Sequence, residues 1–176
     1  MALVLIATVG TADANSYATV AEADEYASYR VGGAAFIALT SDQKIQALVT
    51  ATSDIDTLEA LPGLLGDRYT DTQALAFPRD DATLPDTLVP ATIELAMSYA
   101  PAFATGSTID VLNQNRTDGN VKRKVVDVLE TEWFAPRTTE ATVLDRFPDV
   151  VQRLLMPLVV PDASQAWGTG VVVRGS

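Results

Sequence analysis

Carboxylate pairs are the only groups in this sequence with a clear capacity for acid–base or metal chemistry, because the chain contains neither histidine nor cysteine. Asp54 and Asp56 stand two positions apart on a predicted helix and so face different directions, which favours a solvated helix face over a paired site. Asp80 and Asp81 fall in a predicted loop, where they could help to hold a divalent cation with backbone carbonyls. A role as charged, solvent-exposed residues of a surface loop explains this pair better.

The missing residue types restrict the chemistry further. Histidine is the commonest general base and metal ligand, and cysteine is the commonest thiolate nucleophile. Gly168-Thr169-Gly170 lacks the strand, the helix and the third glycine of a phosphate-binding loop, and is better read as a hinge. We therefore expect no enzyme, no metal and no cofactor.

One basic run and three aromatic residues could contact a nucleic acid. The run comprises Lys122, Arg123 and Lys124. It could bind DNA phosphates or an acidic partner, although charges at a strand edge more often prevent unwanted pairing. The aromatic residues are Trp133, Phe134 and Trp167. Without a surrounding basic groove they fit core or interface anchors better than base-stacking platforms.

The charge balance opposes general DNA binding. Twelve Lys and Arg against 23 Asp and Glu give a net charge of −11. Nucleic acids are bound mainly through phosphate neutralisation, so a surface this acidic binds them poorly. It suits a surface that DNA must pass without adhering.

Two helix starts carry the same capping signal. Thr19 with Glu22, and Thr40 with Gln43, each form a predicted capping box. The first helix is expected to bury Val20, Ala23, Ala27 and Val31 and to end at Gly32-Gly33. The second is expected to run to about Leu58 and to bury Ile45, Leu48, Val49, Thr52 and Ile55.

A long loop is predicted over 62–89, broken by prolines and glycines, with Leu75 and Phe77 as its apolar anchors and Arg79 exposed or paired. A third helix should follow with Pro90 at its first position and a buried stripe of Ile93, Ala96, Met97 and Ala100. Pro101 should kink or fray its last turn.

The remainder contains one small β element and one helix. Residues 121–134 fit both a strand and a helix, and we favour the strand. Pro148 should open the last helix, with Val150, Val151, Leu154, Leu155 and Leu158 inside. The predicted fold is mainly α: a small helical bundle with a minor β element and extended N- and C-terminal arms, comprising one domain over 1–161. Neither a signal peptide nor a membrane helix is expected from the apolar stretch 1–12.

The segment 162–176 is predicted to be an extended docking arm. Pro157 and Pro161 separate it from the last helix, and its glycines lower its intrinsic order. A β-prone patch could add to the sheet edge of a partner. The predicted docking residues are Trp167, Val171, Val172, Val173 and Arg174.

Three stretches together resemble the head-tail connector (adaptor) family of tailed bacteriophages. The first is Asn15-Ser16-Tyr17, which is followed by the helix sequence from Val20 to Tyr26. The second is Gln73-Ala74-Leu75-Ala76-Phe77-Pro78-Arg79, and the third is the C-terminal Leu154-Leu155-Met156-Pro157-Leu158. The resemblance spans nearly the whole chain.

The resemblance implies a structural protein of the virion neck, made in the host cytoplasm. Its expected partners are the portal protein, neighbouring subunits in a ring of about twelve, and a tail or tail-completion protein; the DNA passes through the channel without specific binding, and no membrane is involved. Proteins of this kind are often labelled DnaT-like single-stranded DNA-binding proteins. That label names the alternative function, a replication accessory.

Overall fold

The computed structural model describes residues 4–60, 64–106, 123–126, 129–132 and 143–159, with 123–126 and 129–132 described as backbone only. The helices in these ranges are α1 (Val20–Ser28), α2 (Ala34–Ile37), α3 (Ser41–Asp56), α4 (Leu88–Thr105) and α5 (Asp149–Leu155). Short 3₁₀ turns follow α3 at Thr57–Ala60, precede α5 at Val143–Arg146 and follow it at Met156–Leu158. The predicted mainly helical fold is confirmed.

Both predicted capping boxes are present. At the start of α1, Thr19 Oγ1 accepts the Glu22 N–H at 3.2 Å, and the Glu22 carboxylate accepts the Thr19 N–H at 2.7 Å. At the start of α3, Thr40 and Gln43 make the same reciprocal bonds at 3.3 and 3.0 Å. Each box satisfies backbone donors that a helix start leaves unpaired, and a good N-cap is worth about 1 kcal/mol.

The connection from α1 to α3 differs from the prediction. Helix α1 ends at Ser28, before the two glycines, and Val31 is fully exposed instead of buried. The chain turns tightly here, since a Cβ on Gly33 would lie 2.0 Å from the Ala27 carbonyl oxygen. The following helix α2 buries Phe36 but has only four residues, too few to give a periodic pattern in the sequence.

Helix α4 is the centre of the core and packs against α1, α2, α3 and α5. Its buried apolar residues are Leu88, Ala91, Ile93, Leu95, Ala96, Tyr99 and Ala100. The buried face of α3 consists of Lys44, Ala47, Leu48, Ala51, Thr52 and Ile55. The predicted stripes were therefore partly wrong: Ile45, Val49 and Met97 are only half-buried, because alanines form much of the contact surface.

Pro90 of α4 sits differently from the prediction. The helix begins at Leu88, so Pro90 is its third residue, still within the first turn where a missing N–H costs no helical bond. The helix continues past Pro101 to Thr105, whose hydroxyl donates to the Pro101 carbonyl at 3.2 Å. It ends at Gly106, which takes the left-handed conformation with φ of 63°.

The favoured strand assignment within 121–134 is confirmed for residues 123–126 and 129–132, which form two strands instead of one, while 121–122, 127–128 and 133–134 lie outside the described residues. Strand β1 (Arg123–Val126) pairs with β2 (Leu129–Glu132) in an antiparallel hairpin, in the register Arg123↔Glu132, Lys124↔Thr131, Val125↔Glu130 and Val126↔Leu129. Further along the chain, Pro148 caps α5 as expected. Val151, Leu155 and Leu158 are buried there, whereas Val150 and Leu154 are half-buried.

Before α1 the chain is extended and folds back on itself. The Asn15 side chain accepts the Ile6 N–H at 2.8 Å and donates to the Val4 carbonyl at 2.9 Å, and the Asn15 N–H donates to Ile6. Residues 64–87, which we call the middle loop, run without helix from the 3₁₀ turn to α4, as predicted. At its start Leu64 forms an antiparallel bridge with Val159, so the loop is tied to the far end of the described chain.

Candidate functional site

Tyr17 joins the N-terminal segment, α3 and the middle loop at one point. Its hydroxyl donates to a carboxylate oxygen of Asp56 and accepts the Phe77 N–H at 3.1 Å. The same Asp56 oxygen accepts the Ala76 N–H at 3.3 Å. The Tyr17 and Phe77 rings meet edge to face with centroids 5.9 Å apart, and each residue is 3% exposed. This hydrogen-bonded cluster of Tyr17, Asp56, Ala76 and Phe77 is called the tyrosine clasp below.

The clasp holds a carboxylate in a partly desolvated place. Burial raises the pKa of Asp56 to about 6, although the bonds from Tyr17 and Ala76 favour the charged form. Burial also raises the pKa of the Tyr17 hydroxyl, and the neighbouring Asp56 charge adds to the shift. Tyr17 therefore stays protonated and acts as a donor, which suits a structural hydrogen bond and not a general base.

The prediction of a solvated face for the α3 carboxylates is wrong, although Asp54 and Asp56 do face different directions. Asp54 accepts the Tyr99 hydroxyl of α4 at 2.6 Å, and burial raises the pKa of that hydroxyl. Both carboxylates are half-buried. The sequence pattern showed their spacing but not the two tyrosines, which come from distant positions in the chain.

Two arginines brace the middle loop against one glutamate. Arg68 makes a two-pronged ion pair with Glu59, and this hydrogen bond holds the pKa of Glu59 below its usual value. Arg79 lies 3.7 Å from Glu59 and donates to the Leu65 carbonyl at 2.9 Å. The expectation that Arg79 is exposed or paired is confirmed, since it is half-buried and paired.

Polar contacts fix the turns of the loop. Gln73 is 3% exposed, accepts the Thr70 N–H at 3.0 Å and donates to the Leu75 and Pro78 carbonyls at 2.8 and 3.0 Å. The Phe77–Pro78 peptide bond is cis. The predicted anchors are confirmed as well: Phe77 is buried and Leu75 is partly buried against the core.

Asp80 and Asp81 are used within the loop. Asp80 accepts the Asp67 N–H at 3.0 Å, and Asp81 accepts the Thr83 N–H at 2.7 Å. Among the described residues no group of three or more Asp, Glu, His or Cys side chains is placed to hold a metal ion. None of the described helices combines the length and apolar character that crossing a bilayer requires.

Basic side chains in the described body are largely occupied by carboxylates. Of the six that the structure describes there, four lie in ion pairs: Arg30 with Glu94 at 2.5 Å, Lys44 with Asp24 at 2.7 Å, and Arg68 and Arg79 with Glu59. Arg146 donates to the Asp54 carbonyl at 3.2 Å and its guanidinium lies 4.8 Å from the Phe147 ring centroid. These cations are not free to form a phosphate-binding groove.

The net charge is unevenly distributed along the chain. Residues 4–106 contain fourteen acidic and four basic residues, so they carry ten of the chain's eleven net negative charges. The remaining acidic and basic residues, nine and eight, all lie in 107–176 and nearly balance. The acidic character therefore belongs to the helical body and the middle loop.

Exposed apolar residues occur on the middle loop and at the α1–α2 turn. Leu65 and Tyr69 are 49% and 48% exposed, and Gly10, which follows the exposed Val9, lies against the Tyr69 ring. Asp67 and Asp80, joined by backbone and side-chain bonds, are exposed on the same loop. We call the five residues Leu65, Asp67, Tyr69, Asp80 and Asp81 the loop face.

The residues singled out from the sequence as partner contacts lie mostly outside the described part of the chain. This holds for the docking residues Trp167, Val171, Val172, Val173 and Arg174, for Lys122, for Trp133 and Phe134, and for Gly168 to Gly170. Arg123 and Lys124 stand in strand β1 at register positions opposite Glu132 and Thr131. The sequence reading did not foresee the tyrosine clasp as a unit, since its residues Tyr17, Asp56, Ala76 and Phe77 come from separate segments of the chain.

Comparison with known proteins gives one positive finding. No curated protein and no solved structure matches this chain. One family does, over residues 1–175, and its description reads "Putative DnaT-like ssDNA binding protein". The match covers both stretches that meet in the tyrosine clasp. This chain therefore belongs to the family of DnaT-like proteins described in those words.

Proposed function

We propose that this chain is a structural adaptor subunit of a tailed-phage neck, which docks on the portal protein, stands beside copies of itself and joins the head to the tail. The observation that carries the proposal is the state of the basic side chains in the described body. Four of six are tied to carboxylates, within a segment that holds nearly all of the net negative charge. Such a surface repels DNA phosphates.

The clasp adds a second argument. Tyr17 and Phe77 belong to the two stretches that carry the resemblance to connectors, and they contact each other in the core. Because these two residues pack together in the core, they hold the N-terminal segment and the middle loop in one arrangement. A rigid body with fixed loop geometry suits a subunit that must fit beside identical neighbours.

The family description favours a second candidate, a single-stranded DNA-binding accessory. One feature of the hairpin supports this second candidate: Arg123 and Lys124 stand on β1, in the less acidic part of the chain. Aromatic stacking on bases needs a basic groove beside it. In the body that the structure describes, five of the six cations are engaged in other contacts, and the sixth, Arg153, is exposed on α5.

A titration with a labelled single-stranded oligonucleotide separates the two candidates. We expect no binding below about 100 µM at physiological salt, since even non-specific binders reach a Kd of roughly 1–100 µM there. Micromolar binding with a steep salt dependence would refute the adaptor proposal. A basic protein of similar size that binds single-stranded oligonucleotides serves as the positive control.

A particle experiment tests the adaptor role directly. Purified particles should contain the chain in a fixed ratio to the portal protein, as expected for a ring of about twelve copies. A chain ending at residue 161 should melt close to the full-length protein but fail to attach to portals, leaving heads that lose DNA. Normal attachment of that truncated chain would contradict the proposed docking arm, and absence of the chain from particles would contradict the adaptor role.

A further inference from the structure

The β1–β2 hairpin has two chemically different faces. In the observed register, residues 123, 125, 130 and 132 share one face and residues 124, 126, 129 and 131 share the other. The first face has Arg123 at the register position opposite Glu132 and Val125 opposite Glu130, so one positive and two negative residues give it a net charge of −1. The second face carries Lys124 opposite uncharged Thr131, beside the pair Val126↔Leu129. We call this second set the hairpin face.

Within the part of the chain that the structure describes, the hairpin has few packing partners. Among the described elements, each of its strands packs substantially only against the other, whereas the helices pack against one another around α4. A two-stranded hairpin of four-residue strands is at best marginally stable in water and needs a further surface to cover it. Of the two faces, the hairpin face is the one with a net positive charge and two apolar residues, Val126 and Leu129.

The body offers a surface of opposite chemistry. The loop face combines exposed Leu65 and Tyr69 with the carboxylates of Asp67, Asp80 and Asp81. Its two neighbouring cations, Arg68 and Arg79, are engaged with Glu59. Apolar residues rimmed by one sign of charge are typical of a protein–protein contact, and the sign here is complementary to Lys124.

We propose that the hairpin face of one copy docks on the loop face of a second copy, as the contact between neighbouring subunits. The inference deepens the proposed function, since it assumes that copies stand side by side. A donor surface and an acceptor surface on different parts of the chain make a head-to-tail contact, which is the type that closes into rings. The area is small, so the contact forms appreciably only when the portal holds copies at about millimolar effective concentration.

Cross-linking tests the contact on the full chain alone, because the sequence has no cysteine of its own. Thr131→Cys, on the hairpin face, is mixed with Ala82→Cys, an exposed position beside Asp81, at about millimolar protein and under mild oxidation. The matched control replaces Ala82→Cys by Ser28→Cys, which is exposed on α1. We expect the 131–82 dimer in several-fold excess over the 131–28 dimer, and equal yields would overturn the proposal.

Charge reversal assigns the pairing. Lys124→Glu should lower the 131–82 yield several-fold, whereas Arg123→Glu, the same charge change on the opposite face of the hairpin, should leave it nearly unchanged. Asp67→Lys, in both chains together with Lys124→Glu, should restore the yield, because the two charges are exchanged. Equal effects of Lys124→Glu and Arg123→Glu would overturn the proposal, since net charge alone would then explain both.

Two other occupants of the hairpin face are also tested. A chain carrying both Thr131→Cys and Ala82→Cys that closes on itself at high dilution would show docking within one chain, and would overturn the inference. The inference would also be overturned if Lys124→Glu abolished oligonucleotide binding and left the cross-linking yield unchanged. The adaptor proposal fails by different results, namely tight oligonucleotide binding or absence from particles, so the two failures are distinguishable.

Discussion

Removing one hydroxyl from the tyrosine clasp should destabilise the whole body. Tyr17→Phe keeps the ring, its volume and its edge-to-face contact with Phe77, so no large cavity forms. It deletes the donor to Asp56 and the acceptor of the Phe77 N–H. The variant therefore isolates the hydrogen bonds from the packing.

The expected size follows from the two bonds. A buried N–H left without an acceptor costs about 1–3 kcal/mol, and a hydrogen bond to a charged carboxylate contributes about 1.5–3 kcal/mol. These terms overlap, and Asp56 keeps its bond from the Ala76 N–H. We expect a loss of about 3 kcal/mol in the free energy of unfolding at neutral pH, measured by urea denaturation followed by circular dichroism.

The pH dependence makes the prediction specific. Asp56 is charged in the folded protein above its pKa of about 6, and the Tyr17 bond favours that charged form. Removing the bond raises the folded pKa further above the unfolded one, so the variant loses stability more steeply as the pH rises through it. The loss should be smaller at about pH 5 than at about pH 8.

The control is Tyr29→Phe, because Tyr29 is 83% exposed at the end of α1. That variant should stay within about 0.5 kcal/mol of the parent at either pH. A Tyr17→Phe variant equally close to the parent would refute the clasp. So would an equal loss at both pH values, since the Asp56 charge would then play no part.

Three further substitutions test the same region. Asp56→Asn keeps an oxygen for Tyr17 and Ala76 but cannot ionise. In the parent, the raised pKa of Asp56 stabilises the fold at low pH, and this stabilisation is lost as the pH rises from 3.8 through about 6. The variant should therefore gain stability relative to the parent over that range, by at most about 3 kcal/mol in urea titrations. Phe77→Ala should cost about 3 to 5 kcal/mol through the cavity it leaves, and a melting temperature within a degree or two of the parent's would contradict the anchoring role. Gly66→Ala should lower the melting temperature clearly more than Gly32→Ala. Both residues have positive φ, but only at Gly66 would the new Cβ meet a carboxylate oxygen of Asp80, at 2.1 Å. Equal losses of melting temperature would show that backbone strain alone matters.

Local signals predicted the helix starts well. A capping box is complete within four residues, so Thr19 with Glu22 and Thr40 with Gln43 could be read without knowledge of the fold. The strand assignment within 121–134, which rested on alternation and β-prone residues, was also correct for the described residues 123–126 and 129–132, although these form two strands. The loop anchor Phe77 was visible as a large apolar residue in a polar, proline-broken segment.

Contacts between distant residues were not predictable in the same way. Tyr17 and Phe77 are sixty positions apart and Asp54 and Tyr99 forty-five, and no local pattern encodes either pairing. The buried face of α3 was misplaced because apolar stripe rules favour Ile45 and Val49, whereas the fully buried positions of this helix, which packs against α4, include Ala47 and Ala51. Small residues permit close helix packing, and a hydrophobicity pattern ranks them low.

The tyrosine clasp also bears on how the family's name should be read. A family defined by sequence similarity is recognised through its most constrained positions, and in this chain Tyr17 and the stretch from Gln73 to Arg79 are constrained by one another. Constraint of this kind specifies a fold, and a fold does not by itself specify a ligand. Binding to single strands would have to come from a cationic surface, and the cations near the clasp, Arg68 and Arg79, are committed to Glu59. In this chain the stretches around the clasp therefore brace the helical body, and any binding to single strands would have to come from another part of its surface.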